Sequence, residues 1–131
     1  MTSHQKIQVR DALLFYWERG ARKFRHGLCI GSDEQAAAIA KEIGYYVIAH
    51  PGYNPKKPEN RMFRSDFDKN DEVLPEKPFI KRDHDIVDQS DEMIATPLSW
   101  EEQVRSGTWT TVRYARNKDK PIKICYPARD E

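Results

Sequence analysis

Apolar residues recur along the chain with helix spacing and strand spacing in turn. Thr2 and Gln5 have capping-box spacing, and the pattern after them predicts a first helix of about four turns. A second helix is expected to begin with Ser32 or Asp33 as its cap and to end at Gly44, where a C-terminal glycine belongs. The apolar stripe of this second helix is formed by Ala36, Ile39, Ala40 and Ile43.

Strand-like runs lie between the helical patterns. The run from Tyr45 to His50 is continuous, β-prone and apolar, which is typical of a strand buried on both faces of a parallel sheet. Three further strands and two further helices are expected. The strands are predicted over residues 27–30, 92–96 and 121–126, and the helices over 80–89 and from 107 to about 120.

Alternating strands and helices over short links predict one α/β domain, residues 1–131, with a parallel sheet and right-handed crossovers. The segment 53–78 interrupts this order. It has no usable periodicity, many charges and four prolines, so we expect a long loop that is mobile or closes over a pocket.

Composition narrows the class of protein. With 131 residues and 38% apolar side chains, the chain is long enough for a real core. It has neither an apolar run of membrane-spanning length nor a leader-like start, so a soluble, cytoplasmic protein without a membrane partner is expected. Cys29 and Cys125 show no metal or disulfide spacing. We therefore expect reduced thiols, no metal site and no cofactor.

Charge is unevenly distributed behind a net charge of +1. Residues 1–27 carry six Lys/Arg against two acids, residues 66–92 carry four against ten, and residues 105–123 carry six against one. The acidic middle argues against a general nucleic-acid surface, and the basic ends favour a small phosphorylated ligand. The alternative is that these charges form solvated faces.

The carboxyl ends of parallel strands meet at one edge of a sheet, which is where open sheets bind ligands. The stretch Arg105-Ser106-Gly107-Thr108-Trp109 leads there into a helix. Its small residues leave amides open at the positive end of the helix dipole, which suits a phosphate. The alternative is an ordinary helix start, with Ser106 or Thr108 as the cap.

Two arginines flank this turn. The guanidinium groups of Arg105 and Arg113 are expected to donate charge-assisted bonds to the phosphate. The alternative is surface pairing with Glu101 or Glu102, which contributes little to stability.

Other candidates also have structural alternatives. Asp33 is expected to bind a ribose hydroxyl or a base edge, or only to favour a helix start. His50 is a possible base or donor, or a satisfied structural histidine. Cys29 is a nucleophile only if its thiolate is stabilised, and otherwise a small buried thiol. In Arg82-Asp83-His84-Asp85 we expect Arg82 to face the pocket and the others to stay solvated.

The chain resembles the SLOG superfamily of Rossmann-like domains, which includes the Lonely-Guy nucleotide phosphoribohydrolases, DNA-processing proteins and nucleotide-ligand sensors. The resemblance covers about residues 2–127. It runs through Gly27-x-Cys29-Ile30-Gly31-x-Asp33, His50-Pro51, Arg82, Ile86-Val87 and the turn Arg105–Trp109. It implies a three-layer fold with an open parallel sheet of about four strands flanked by helices, and a nucleotide or nucleotide-derived ligand.

Two departures from that family matter. Its members begin with a strand ahead of the first helix, whereas here the pattern begins with the helix, so the expected sheet lacks its usual first strand. Repacking or a partner would then compensate, which motivates a homodimer hypothesis. The hydrolytic members also carry a glutamate three residues after the motif threonine, where this chain has Thr111. A threonine is not a general acid at neutral pH.

We therefore expect a protein that senses, carries or sequesters a nucleotide-derived small molecule, and we assign no catalytic residue. The alternative is an N-glycosidic bond hydrolase or transferase that uses Asp33, Glu101 or Glu102 in place of the missing carboxylate. A third hypothesis is a protein-interaction module that docks a basic partner on its acidic middle segment. The candidate ligand-binding residues are Cys29, Gly31, Ser32, Asp33, His50, Pro51, Arg82, Thr96, Arg105, Ser106, Gly107 and Thr108.

Overall fold

Helices and short parallel strands alternate along the computed structural model, which describes residues 1–29, 31–57, 69–103 and 106–128. The helices in these residues are α1 (Ser3–Glu18), α2 (Ser32–Ile43), α3 (Phe79–Gln89) and α4 (Gly107–Asn117). The strands are β1 (Lys23–His26), β2 (Tyr46–Ala49), β3 (Gly52–Tyr53), β4 (Glu72–Val73), β5 (Lys77–Pro78), β6 (Met93–Ala95) and β7 (Ile122–Ile124). None of these helices has the length and apolar character needed to cross a bilayer.

The predicted capping box starts α1. Thr2 Oγ1 accepts the Gln5 N–H at 3.1 Å, and Gln5 Oε1 accepts the Thr2 N–H at 3.0 Å. The Gln5 amide also donates to the carbonyl oxygens of Pro97 and Cys125, at 2.7 and 2.9 Å. These bonds hold the start of α1 against the chain just after β6 and β7.

The second helix has the predicted apolar face and the predicted end. Ala37, Ile39 and Ala40 are buried, and Gly44 ends α2 with φ of +125°, a conformation that favours glycine. The predicted start was wrong, because the N-cap is Gly31, and neither Ser32 nor Asp33 caps the helix with its side chain. Asp33 points back to the preceding loop instead.

The first strand lies four residues before its predicted position. It covers Lys23–His26, and residues 27–29 belong to the loop that leads to α2. The sequence did not indicate a strand here because Lys23 and Arg25 are charged. Only Phe24 and His26 have inward-facing rings, and two residues are too few to show alternation.

All strand pairs are parallel, and the described residues form three sheets with the orders β1-β2-β4, β3-β5 and β6-β7. The mixed α/β class with parallel strands is thus confirmed. The segment 53–78 is not a plain loop, because β4 and β5 lie within it and Tyr53 belongs to β3. Two-residue strands have no periodicity to recognise, since they exist only through pairing with distant residues. Residues 58–68 lie outside the described part of the chain.

Two apolar clusters pack against the strands. The larger cluster joins α1 and α2 through Val9, Leu13 and Ala40 to Val47 of β2, and Ile94 of β6 packs against it. The second cluster joins Trp109 and Val112 of α4 to Ala95 of β6 and to both isoleucines of β7. Successive residues of β6 therefore belong to different clusters, as expected when a strand is covered on both faces.

Candidate functional site

A cavity of about 920 Å³ separates β1 from β6. Each of these strands contributes consecutive residues to its wall, over 22–27 and 92–96, so the cavity lies along the edges of the strands. Helix residues close its two faces. They include Val9 and Leu13 from α1, Ala36 from α2, Ile86 from α3, and Val112 and Ala115 from α4.

Asp33 organises the loop between β1 and α2. Its Oδ2 accepts the N–H of Gly27 at 3.1 Å and the N–H of Cys29 at 3.4 Å. The carboxylate thus serves as an acceptor for backbone amides, and it also lines the cavity. Asp33 therefore has a structural role in this loop, and its role in ligand binding stays a prediction.

Arg82 is a buried connector between α3 and two strand ends. Its Nη1 donates to the carbonyl oxygens of Gly27 at 2.5 Å and His50 at 3.0 Å, and its Nε donates to Asp83 at 2.7 Å. A Cβ added at Gly27 or Gly52 would come within 3.1 Å of this guanidinium. The two glycines therefore make room for the arginine.

Asp83 stands in the cavity beside Thr111. Burial raises the pKa of the Asp83 carboxyl, while the Arg82 guanidinium acts in the opposite direction. The Thr111 hydroxyl lies 3.0 Å from the Gly107 carbonyl oxygen and also within hydrogen-bonding reach of Asp83. A carboxyl group therefore lies next to Thr111 in the cavity.

The expectation that Asp83, His84 and Asp85 stay solvated was wrong. Asp85 is buried and accepts hydrogen bonds from Lys77 and Lys81 at 2.6 and 2.8 Å, which lower the pKa of its carboxyl. The His84 ring stacks on a tyrosine of α4. Helix α3 is packed on several sides, and a local pattern does not reveal that.

The first turn of α4 is open to solvent. Ser106 caps the helix by accepting the Trp109 N–H at 3.4 Å, as the structural alternative for this turn expected. Gly107 and Thr108 are exposed, a Cβ at Gly107 would meet nothing within 4 Å, and Thr108 lines the cavity. Among the described residues, neither of their amides has an acceptor. Arg105, the predicted phosphate ligand, lies outside the described residues.

Its companion Arg113 takes the structural alternative, because Arg113 Nη1 lies 3.1 Å from Glu102. Glu102 also pairs with Arg116 at 3.5 Å. Glu101 and Glu102 are exposed and are not among the residues that line the large cavity. Neither of them is placed to replace the missing carboxylate.

His50 lies at a different, smaller cavity of about 270 Å³, together with Pro51. The His50 ring nitrogen Nε2 is 3.1 Å from Arg25 Nη1, and since the guanidinium only donates, this nitrogen accepts. Burial and then the Arg25 charge lower the pKa of His50 to about 4. The imidazole is therefore neutral at pH 7, and its geometry matches the structural alternative.

Cys29 has the properties of a structural thiol. Burial, and secondly the Asp33 charge, raise its pKa to about 11, so the thiolate that a nucleophile requires is scarce at neutral pH. Its Sγ lies 3.6 Å from the Gly27 carbonyl oxygen.

The large cavity brings together only part of the predicted set. The predicted residues that line it are Ser32, Asp33, Arg82, Thr96 and Thr108. Those that do not are Cys29, Gly31, His50, Pro51, Ser106 and Gly107. Asp83 was missed as a site residue, and its position in the motif next to Arg82 was the only signal that pointed to it.

Comparison with known proteins identifies no relative. Neither models of protein families, nor curated proteins, nor solved structures match the chain. The resemblance to the SLOG superfamily is therefore carried by the motifs of this sequence alone.

Proposed function

We propose that the chain binds a nucleotide or a nucleotide-derived small molecule, with the phosphate at the first turn of α4 and the ribose or base near Asp33. One observation carries this proposal. Residues that follow the ends of two strands, Asp33 after β1 and Thr96 after β6, line the same cavity as Thr108 from the open start of α4. Open parallel sheets usually bind their ligands where residues from the ends of several strands meet in this way.

Charge supports this orientation of the ligand. The amides of Gly107 and Thr108, which have no acceptor among the described residues, attract a phosphate to the start of α4, and the Asp33 carboxylate suits a ribose hydroxyl or a base edge. Arg82 already donates to two carbonyl oxygens and a carboxylate, so it adds positive potential rather than a free donor. Sensing, carriage or sequestration of the ligand fits the presence of Thr111 where a hydrolase has glutamate.

The proposal includes a Rossmann-like, three-layer arrangement similar to that of SLOG domains. The two apolar clusters on different faces of β6 support it. So does the strand order, because β1 leads outward to β2 and β6 leads outward to β7, with the cavity between them. A ligand crevice forms at such a reversal of strand order.

Substitutions at Gly107 test the phosphate site, because a side chain there meets open space. Gly107→Asp places a negative charge at the start of α4, which the helix dipole tolerates but a phosphate does not. Gly107→Asn is the matched neutral control. We expect the Asp variant to weaken binding of nucleoside mono- and diphosphates by at least about tenfold, and the Asn variant to bind within about threefold of the parent.

Isothermal titration calorimetry with adenosine and guanosine phosphates measures these affinities. Mass spectrometry of the small molecules released from the denatured protein identifies any nucleotide that is already bound. Equal affinities of the Asp and Asn variants would overturn the phosphate assignment. If none of these adenosine and guanosine phosphates binds and the denatured protein releases no nucleotide, the proposed function itself is overturned.

One observation favours a second candidate, an N-glycosidic bond hydrolase or transferase. The Asp83 carboxyl lies in the cavity beside Thr111, and burial raises its pKa, as suits a general acid. Release of free base from nucleoside monophosphates, followed by chromatography, tests this activity. Turnover that Asp83→Asn abolishes while nucleotide binding persists would establish catalysis. Absence of base release from every nucleotide that binds would exclude it.

A further inference from the structure

The hydrogen bonds of β1 leave one of its edges unpaired. The N–H groups of Tyr46 and His50 donate to the carbonyl oxygens of Arg22 and His26, both at 2.8 Å. The N–H and C=O of one strand residue point to the same side, and successive residues alternate. Lys23 therefore presents its backbone groups to the edge opposite β2, and so does the residue two positions later, Arg25.

The same holds for β6. Met93 N–H donates to the Pro121 carbonyl oxygen at 2.9 Å, and Cys125 N–H donates to that of Ala95 at 2.8 Å. Ile94 and Thr96 consequently present their backbone groups away from β7. Within the described ranges, no strand pairs with either of these edges.

Both unpaired edges line the large cavity. The start of α1 contacts Pro97, just after β6, and Gln35, in the first turn of α2 after β1, so the two strands end on the same side and the cavity is a slot between two parallel strands. Its two faces are closed by apolar side chains: Val9 and Leu13 of α1 on one face, Val112 and Ala115 of α4 on the other. The slot thus offers backbone partners on both sides and apolar contacts on both faces.

We propose that this slot is the seat of a β-strand supplied by a partner polypeptide. The strand has about five residues, matching the edges at 23–27 and 92–96, and it runs parallel to β1 and β6. A polypeptide backbone carries donors and acceptors on both sides, at the spacing that these two strand edges require. Because helices cover both faces, the strand is apolar at successive positions.

A second copy of the chain is a poor donor, since each named strand of the described residues already pairs within its own chain. The seat shares the cavity and its last residue, Thr96, with the proposed ligand site, which lies beyond the carboxyl ends of the strands. The Gly27 N–H is taken by Asp33 and its carbonyl oxygen by Arg82, so pairing with β1 ends there and the Asp33 end of the cavity stays open.

A designed strand tests the seat. A segment of alternating Val and Ile is joined to Met1 by a flexible Gly/Ser linker. The Met1 amino group lies 2.7 Å from Gln35 Oε1, at the start of α2, which is where a strand parallel to β1 would end. The tether supplies a high effective concentration. The matched control carries proline at the centre of the same segment, which removes a donor and disrupts the ladder. The free peptide is also added to the unmodified chain.

Amide hydrogen exchange measured by NMR distinguishes pairing in the slot from general stabilisation, because general stabilisation would slow exchange at all of the strand amides alike. We expect exchange at Lys23, Arg25, Ile94 and Thr96 to slow on the order of tenfold relative to Phe24 and Ala95, whose backbones already face partner strands. The proline control leaves this ratio unchanged, and saturating free peptide reproduces the protection.

Three results would overturn the proposal. Equal slowing at all of these amides, or none, would show that the segment does not pair in the slot. Protection by the tethered segment but not by the free peptide would assign the seat to the same chain instead of a partner. A dimer by light scattering, whose dilution accelerates exchange at these four amides, would assign it to a second copy. None of these results bears on Gly107, so the ligand proposal is tested separately.

Discussion

The guanidinium of Arg82 lies 2.5 Å from the carbonyl oxygen of Gly27 and thereby ties α3 to the end of β1. The same nitrogen donates to His50, at the end of β2, so one buried side chain holds three elements at the edge of the candidate site. Four predictions concern Arg82 and the residues around it.

Replacing Arg82 by lysine should destabilise the fold. A lysine has no planar fork, so it would leave at least one of the buried partners unsatisfied, at a cost of about 2–4 kcal/mol. Urea unfolding measures this loss. Arg116→Lys, at an exposed pair with Glu102, is the control and should change stability by less than about 0.5 kcal/mol. Equal stability of the two variants would contradict the connecting role of Arg82.

Alanine at Gly27 should be harmful, whereas alanine at Gly107 should not. A Cβ at Gly27 would lie 2.8 Å from Arg82 Nη1 and 2.9 Å from Asp33 Oδ2, and the overpacking should cost about 1–3 kcal/mol. At Gly107 the added methyl meets open space in a helix, so stability should stay equal or rise by up to about 1 kcal/mol. Thermal unfolding of both variants decides this, and the reverse order would refute the packing described.

Stability should fall as the pH is lowered from about 6.5 to 4. Burial lowers the pKa of His50 from 6.5 to about 4 in the folded chain, and it lowers that of His26 as well. Between those values the unfolded chain takes up protons that the folded chain does not, so protonation favours unfolding. The contribution of His50 is about 1–3 kcal/mol, present above the window and lost within it.

Urea unfolding at pH 7.0, 5.5 and 4.5 measures this dependence. His50→Gln keeps an acceptor for Arg25 and should flatten the slope. The exposed His4→Gln is the control and should leave the slope as in the parent. An unchanged slope in the His50 variant would mean that the fold does not lower the pKa of His50.

Cys29 should resist alkylation in the folded protein. Its pKa of about 11 instead of 9.0 leaves roughly a hundredfold less thiolate at pH 7, so iodoacetamide should react slowly. Mass spectrometry of the modified peptides gives the rate. In urea both Cys29 and Cys125 should react at the rate of free thiols, and fast native labelling of Cys29 would contradict its burial.

Local sequence signals were sufficient where neighbouring residues decide the structure. The capping box at Thr2 and Gln5 and the glycine end of α2 formed as predicted, and the cap at Ser106 formed as the structural alternative expected, because each depends on residues within one or two turns. The buried strand β2 and the parallel α/β class also followed from pattern and order.

Only the tertiary structure decided which of these pieces meet. The sequence could nominate Arg82 but not its burial between Gly27 and Gly52, and it did not single out Asp83 beside Thr111. Likewise, the two-residue strands and the slot between β1 and β6 arise from residues far apart along the chain. Hydrophobic period and caps are short-range properties, whereas pairing, burial and the resulting pKa values depend on contacts that no local pattern encodes.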